Sequence, residues 1–259
     1  MPESIYDPLF RVERLAATPN PQQACWQAMH QDYSENFVAD EPCPEESKAG
    51  EICVKRLLAG ERGHYGPLEH PQITFATGFF PHSVMQQART HRVGVSFDVQ
   101  SMRYTGDRVY RFIQESKAVC PQDLSLDHPW FTALERLFYV RPVGSYVDRQ
   151  GKRYYYTNER RKERLIHCYD TAIRYTREIN LGVTEEDARG VLAFDYRQHF
   201  VVSFSLRALL HFLDLRAKLD AQLEIRALCD LMWPHLEAWA PEIAAWYKES
   251  RLHRARLAP

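Results

Sequence analysis

The sequence predicts an α/β (α+β) fold: a helix-dominated single domain, residues 1–259, with a central mixed sheet. Three observations predict it. The last third is helical and strongly apolar, in FSLRALLHFLDLRAKL and then AQLEIRALCDLMWPHLEAWAPEIAAWY. The run ITFATGFF is rich in β-branched and aromatic residues, the composition of a strand. In SYVDRQGKRYYYTNE, Asp-Arg-Gln-Gly lies between two aromatic runs, a hairpin pattern. A domain of 259 residues buries roughly 70–75% of its unfolded surface, so it needs no disulfide or metal staple.

In chain order, residues 1–20 read as an N-terminal arm ending in a Thr-Pro-Asn-Pro turn. A helix follows from Gln22 to about Tyr33, and a second from Glu45 to Ala59, closed by Gly60. The loop GHYGPLEHPQ leads into the strand, and Pro81 starts a helix that carries Ser83 through His91. Residues 118–160 form a hairpin-containing insertion. A long charged helix runs from Asn158 to Ile179, ended by Leu181-Gly182, and Thr184-Glu-Glu-Asp opens a short one. Pro234 and Pro241 should kink or break the final helical stretch.

Apolar residues make up 45% of the chain and charged residues 26%, with a net charge of −1, so no global field draws it to nucleic acid or an anionic membrane. The six cysteines are dispersed, without a C-x-x-C pair, which argues against a zinc module or disulfide framework and for reduced thiols. The N-terminus is too charged for a secretory signal, and no apolar run reaches bilayer length. A soluble cytoplasmic protein is the expectation.

Three polar clusters could carry chemistry. The densest is Gln86-Gln-Ala-Arg-Thr-His-Arg92 and the VGVSFDVQSMRYTGDR that follows. On a helix, Gln87 and His91 would share a face, with Thr90 beside them. Arg92, Arg103 and Arg108 with Ser, Thr and Gln donors suit a phosphate and a planar heterocycle, although composition alone favours a solvated charged face with hydrogen-bonded turn residues. The second cluster, His64, Glu69 and His70, lacks the spacing of a metal site and reads as a hydrogen-bonded loop. In the third, Arg207 and His211 share a helix face. Arg216 lies about 900° on from Arg207, half a turn round, and so points away if the helix is regular. Salt bridges to Asp214, Asp220 or Glu224, or a bound anion, would satisfy such charges.

Taken in this order, the clusters resemble the flavin-dependent thymidylate synthases. That family's signature is Arg-His-Arg, seven residues, a serine, then any residue and Arg-Tyr; here stand Thr90-His91-Arg92, eight residues, and Ser101-Met-Arg103-Tyr104. GHYGPLEH, Glu186-Asp-Ala-Arg189-Gly-Val-Leu192 and LRALLHFLDLRAKLDAQLEIR resemble its other motifs. The chain departs from the pattern at Thr90 for arginine, Val99 for glutamate, Ala193 for proline and Ser205 for asparagine. The resemblance implies FAD as cofactor, bound by Gly66, Thr90, His91, Arg92, Ser205, Arg207 and His211. It implies dUMP at Gln87, Thr90, Val99, Gln100, Ser101, Met102, Arg103, Arg189 and Arg216. In that assignment Arg103 and Arg189 fork onto the phosphate. Arg216 acts catalytically at the uracil edge, where positive charge stabilises an anionic ring. His64 would lie where folate or substrate passes. Methylenetetrahydrofolate and NADPH are the other implied partners, a homotetramer the implied assembly, and no metal, cysteine nucleophile, nucleic acid or membrane is implied. Two other readings compete: a metal-dependent nucleotide hydrolase using the histidines, and a nucleic-acid-binding module using Arg103–Arg111 or Arg149–Tyr156, against which the near-neutral charge argues.

Overall fold

The computed structural model describes residues 6–60, 63–148 and 150–253. Residues 1–5 of the expected arm, and Arg149 of the second basic segment, lie outside these. The strands are β1 (Arg11–Ala17), β2 (Gln72–Pro81), β3 (Val95–Val99), β4 (Gly144–Val147), β5 (Arg153–Tyr156) and β6 (Arg197–Ser205). The α-helices are α1 (Pro21–Gln31), α2 (Glu46–Cys53), α3 (His82–Ala88), α4 (Met102–Thr105), α5 (Asp107–Glu115), α6 (Pro129–Glu135), α7 (Asn158–Asn180), α8 (Glu185–Ala188), α9 (Leu206–Arg216), α10 (Leu223–Trp239) and α11 (Pro241–Ser250). The helix-dominated α+β class is as predicted.

The four-stranded sheet runs in the order β1-β2-β6-β3. It is antiparallel throughout, where a mixed sheet was expected. The end of β1 meets the start of β2, with Thr18 N–H donating to the Gln72 carbonyl at 2.8 Å. The two ends of β2 meet opposite ends of β6, through Leu206 N to Pro71 O and His82 N to Tyr196 O, both 3.0 Å. Ser205 N to Gly94 O (2.8 Å) and Gln100 N to His199 O (2.9 Å) do the same for β6 and β3. With this pairing, each ladder is of the kind that needs no parallel crossover. Strand β6 was not predicted; only its last residues, Phe204 and Ser205, fell in the run read as helical. Its period-two burial, with Phe200, Val202 and Phe204 inward, merges in sequence with the leucines of α9.

The described residues divide into two compact units, and β2, β3 and β6 each contribute to both. The first comprises Met1–Phe10, Gly78–Gln87 and Val99–Phe200. Its core joins Met102, Val109 and Phe112 to Trp130, Phe131 and Leu134 of α6 and to Leu165, Tyr169 and Tyr175 of α7. Trp130 Nε1 donates to Ser116 Oγ at 2.9 Å, so the buried indole keeps its hydrogen bond. The 118–160 segment is therefore part of this core, and its predicted hairpin is present as β4 and β5 in antiparallel register, Gly144 opposite Tyr156. Arg197, 1% exposed, donates to Asp7 Oδ2 (2.5 Å) and to the carbonyls of Phe79 (2.7 Å) and Glu135 (2.5 Å). A buried guanidinium persists only when satisfied in this way. Phe79 itself has φ 65°, and its N–H donates to His199 Nδ1 at 3.2 Å. The inward alternation of β2, held through Ile73, Phe75 and Thr77, shifts register there.

The second unit comprises Arg11–Thr77, Ala88–Asp98 and Val201–Pro259. Phe75, Phe204 and Phe212 pack through its core, the first pair edge to face with centroids 6.4 Å apart and the second tilted at 5.2 Å. Asn20 does not cap α1; Glu46 of α2 does so instead, its carboxylate accepting from Gln22 N (2.8 Å) and Gln23 N (2.9 Å). Helix α9 begins at a Ser205 cap, whose Oγ accepts from Ala208 N at 3.2 Å. It ends at Arg216 rather than continuing to Glu224, and His253 Nδ1 meets the Ala217 carbonyl at 2.8 Å. Of the two prolines, Pro234 is carried inside α10 and only Pro241 begins a new helix, after Ala240 turns out of helical geometry at φ −135°.

Candidate active site

In the second unit, α9 is the organising element. Its first turn faces the loop that begins at Gly66. Ser205 Oγ donates to Glu69 Oε2 at 2.7 Å, and Arg207 Nη1 donates to Glu69 Oε1 at 3.2 Å. The Arg207 guanidinium also lies over the Tyr65 ring, 5.8 Å from its centre. The close approach of β3 to this turn needs a glycine. Gly94 has φ +66°, and a Cβ there would meet Ser205 Oγ at 2.6 Å and Ala208 Cβ at 3.0 Å. Glu69 and Tyr65 are contacts of this group that the sequence reading did not assign to it. Glu69 was weighed there only as a metal ligand, and nothing in the spacing of an acid 136 residues from Ser205 announces the pair. Arg92, His211 and Gly66 complete this group; Arg92 and His211 are exposed.

At the other end of α9 stands Arg216. Its Nε donates to His91 Nε2 at 3.0 Å, and its Nη2 to Thr90 Oγ1 at 2.7 Å. Asp214, a proposed ion-pair partner, is committed elsewhere: it accepts from Tyr247 Oη at 2.9 Å and from Arg251 Nε and Nη2 at 3.1 and 2.8 Å. The His91 ring lies 5.4 Å from that of His211 and 4.9 Å from that of Phe212. His91 therefore joins the His211 face of α9 to Arg216, although regular helix geometry places Arg207 and Arg216 on opposite sides. Burial, then the neighbouring Arg216 and His211, push the His91 pKa down to about 4. The ring is neutral at physiological pH, and because Nε2 accepts, its proton sits on Nδ1. Burial also lowers the pKa of Arg216.

The predicted shared helix face of Gln87 and His91 does not form. Helix α3 stops at Ala88, and Thr90 and His91 lie in the turn beyond it, with His91 N–H on the Ala88 carbonyl at 3.1 Å. Gln87 belongs to the first unit and Thr90 and His91 to the second. The tertiary path of the chain, not helix periodicity, places each of them.

The first unit holds the other residues that the resemblance assigned to the nucleotide. Val99 ends β3, Gln100 is tied to His199 by its backbone N–H, and Ser101 caps α4 by accepting from Arg103 N at 3.3 Å. Helix α4 packs on α8, where Arg103 Nε meets Glu186 Oε2 at 2.8 Å and exposed Arg189 follows Ala188 directly. Met102 needs correction as a ligand residue. The residue is 1% exposed and its side chain packs in the core of this unit, away from any ligand. Arg108 also turns inward, donating to the Arg197 carbonyl.

His64 Nε2 lies 2.7 Å from Asp32 Oδ2, on the wall of a cavity of about 460 Å³ that Met29, Tyr33, Arg56 and Leu57 also line. Among the described residues no group of three or more His, Cys, Asp or Glu is placed to hold a metal ion, and no helix is long and apolar enough to cross a membrane. The basic segment Arg103–Arg111 is largely neutralised: Arg103 pairs with Glu186, Arg111 with Asp107 at 3.3 Å, and Arg108 is inward.

Comparison with known proteins matches the thymidylate synthase complementing protein family to residues 14–242. The chain belongs to this family. Among its relatives in the family is the flavin-dependent thymidylate synthase of Halobacterium salinarum, 32% identical over 263 residues, covering 96% of this chain and 100% of that protein. That of Haloarcula marismortui is 32% identical over 266 residues, covering 96% and 99%. The fold of this family member is also that of two solved proteins. The UMP/dUMP methylase PolB of Streptomyces cacaoi, bound with 5-Br dUMP, has a TM-score of 0.70 at 18% identity, covering 96% of this chain and 97% of that one. Thymidylate synthase X of Helicobacter pylori, with FAD and dUMP, has a TM-score of 0.62 at 17% identity, covering 90% and 99%.

Proposed function

We propose that this protein is a flavin-dependent thymidylate synthase, which methylates dUMP to dTMP with FAD as its flavin. The observation that carries the reading is the arrangement on α9 in a chain matched by the family almost end to end. Ser205, Arg207 and His211 lie on one stretch of helix, and His91 links them to Arg216. The donor set suits a flavin dinucleotide. Arg92 and Arg207 bring permanent positive charge, Arg207 from the first turn of α9. Bound FAD would supply the hydride, which no amino-acid side chain can provide.

The chain's own residues bind and polarise. Arg103 on α4 and Arg189, which follows the neighbouring α8, are the cations for the dUMP phosphate, and Ser101 is a positioning hydroxyl. Arg216 is the residue for the uracil edge, where its fixed charge favours the ring when negative charge develops on it. Glu69 fixes Arg207 and Ser205, and the neutral His91 accepts from Arg216. In the finer reading, methylenetetrahydrofolate provides the one-carbon unit and NADPH the electrons. The dUMP then becomes dTMP while NADPH and methylenetetrahydrofolate leave as NADP and tetrahydrofolate. We place the protein in the cytoplasm, as a homotetramer whose sites draw on more than one chain.

The test is direct. Purified protein titrated with FAD should show the flavin absorption bands and form dTMP from dUMP, methylenetetrahydrofolate and NADPH. That activity should persist in chelator. Protein that neither retains FAD nor forms dTMP at saturating FAD would overturn the reading. Activity abolished by chelator and restored by a divalent metal would favour the hydrolase class instead.

A further inference from the structure

The position at which this chain departs most from its family's arginine-rich signature is also a contact to the residue assigned to uracil. Where the family pattern has the first arginine, Thr90 presents a hydroxyl oxygen 2.7 Å from Arg216 Nη2. One residue on, His91 presents Nε2 at 3.0 Å from Arg216 Nε. Two acceptors on two different nitrogens of a planar guanidinium determine both its position and the orientation of its plane. An arginine at 90 could accept nothing, and its positive charge would repel Arg216 over the same short distance.

His91 is suited to its half of the clamp. It is 6% exposed, its N–H is bonded to Ala88, and its ring is wedged against His211 and Phe212. The charged or titratable groups that face it are Arg216 and His211, both on α9. Burial first, then these two groups, holds the ring unprotonated, which leaves Nε2 able to accept.

We propose that Thr90 and His91 are positioning residues for Arg216, holding its guanidinium plane for the uracil of dUMP. The inference rests on the assignment of Arg216 to dUMP made above. It adds that the hydroxyl at 90 acts through Arg216 rather than on flavin or nucleotide by itself.

A double-mutant cycle tests it. Thr90→Val should lower kcat/KM for dUMP about tenfold or more, the scale of a hydrogen bond to a charged group. Thr90→Ser should recover most of that loss. Thr90→Arg should be at least as damaging as Thr90→Val. In an Arg216→Ala background, Thr90→Val should add less than about a twofold further loss, because the residue it serves is gone. FAD affinity, read from the flavin absorption, should be unchanged by Thr90→Val. An equal loss from Thr90→Val in both backgrounds, or a loss of FAD with it, would overturn the proposal. If the wild-type protein forms no dTMP, the functional reading fails on its own. The same cycle read as dUMP affinity by calorimetry then decides the clamp, with loss of coupling or absence of dUMP binding overturning it.

Discussion

Protonating His91 should weaken the folded protein by an amount that follows from its surroundings. The pKa falls from the ordinary 6.5 to about 4, first through burial, then through Arg216 and His211. Below pH 6.5 the unfolded chain takes up a proton at this residue while the folded chain does not, so stability is lost as pH falls from about 6.5 to about 4 and is fully present above that window. At about 1.4 kcal/mol per pH unit, the interval from 6.5 to about 4 corresponds to about 3 kcal/mol. Urea unfolding at fixed protein concentration, from pH 8 to pH 4, reads it in the wild type and in His91→Gln, whose side chain does not titrate. The wild type should lose about 3 kcal/mol more than the variant across this range, and the subtraction removes the contribution of the other histidines. Parallel stability curves for the two proteins, or a His91 ring titrating near its ordinary value, would refute the reasoning.

Asp214→Asn should cost about 3–5 kcal/mol of stability, since it removes the charge from a buried ion pair and leaves Arg251 uncompensated; a change in the thermal midpoint too small to resolve would contradict this. Arg207→Ala should weaken FAD about tenfold to a hundredfold by loss of a charge-assisted contact, followed by flavin titration, and an unchanged affinity would remove Arg207 from the flavin site. No single cysteine substitution should abolish dTMP formation in a folded variant. Cys25, Cys53, Cys168 and Cys229 are buried, and burial pushes Cys53 and Cys168 up to about 12, far from a reactive thiolate. Turnover lost with Cys43→Ser or Cys120→Ser alone would contradict it.

The sequence by itself determined the elements whose signals are local. Helix α7 begins at Asn158 behind a Thr157 cap and ends at Asn180, one residue past the predicted boundary, because its charge pattern lies within it and the cap and Leu181-Gly182 directly flank it. The β4–β5 hairpin was legible from Asp-Arg-Gln-Gly between aromatic runs, and the ordered motifs named the family. Local pattern failed where two periodicities abut. Phe200, Val202 and Phe204 alternate like a strand, yet the leucines of α9 follow without a break, so the end of β6 was read as helix and the rest of the strand was not predicted. Only the tertiary structure decided that α3 ends at Ala88, which sends Gln87 and His91 into different units. It alone turned Met102 into the core and joined Glu69 to Ser205 and Arg207. The clamp on Arg216 was equally invisible, because Thr90 and His91 stand more than a hundred residues from it in the chain and meet it only through the packing of their turn on the end of α9. Side-chain type and spacing set what each residue can donate or accept. Which donor meets which acceptor is set by long-range burial, since a buried or half-buried charge must find a partner wherever the fold brings one.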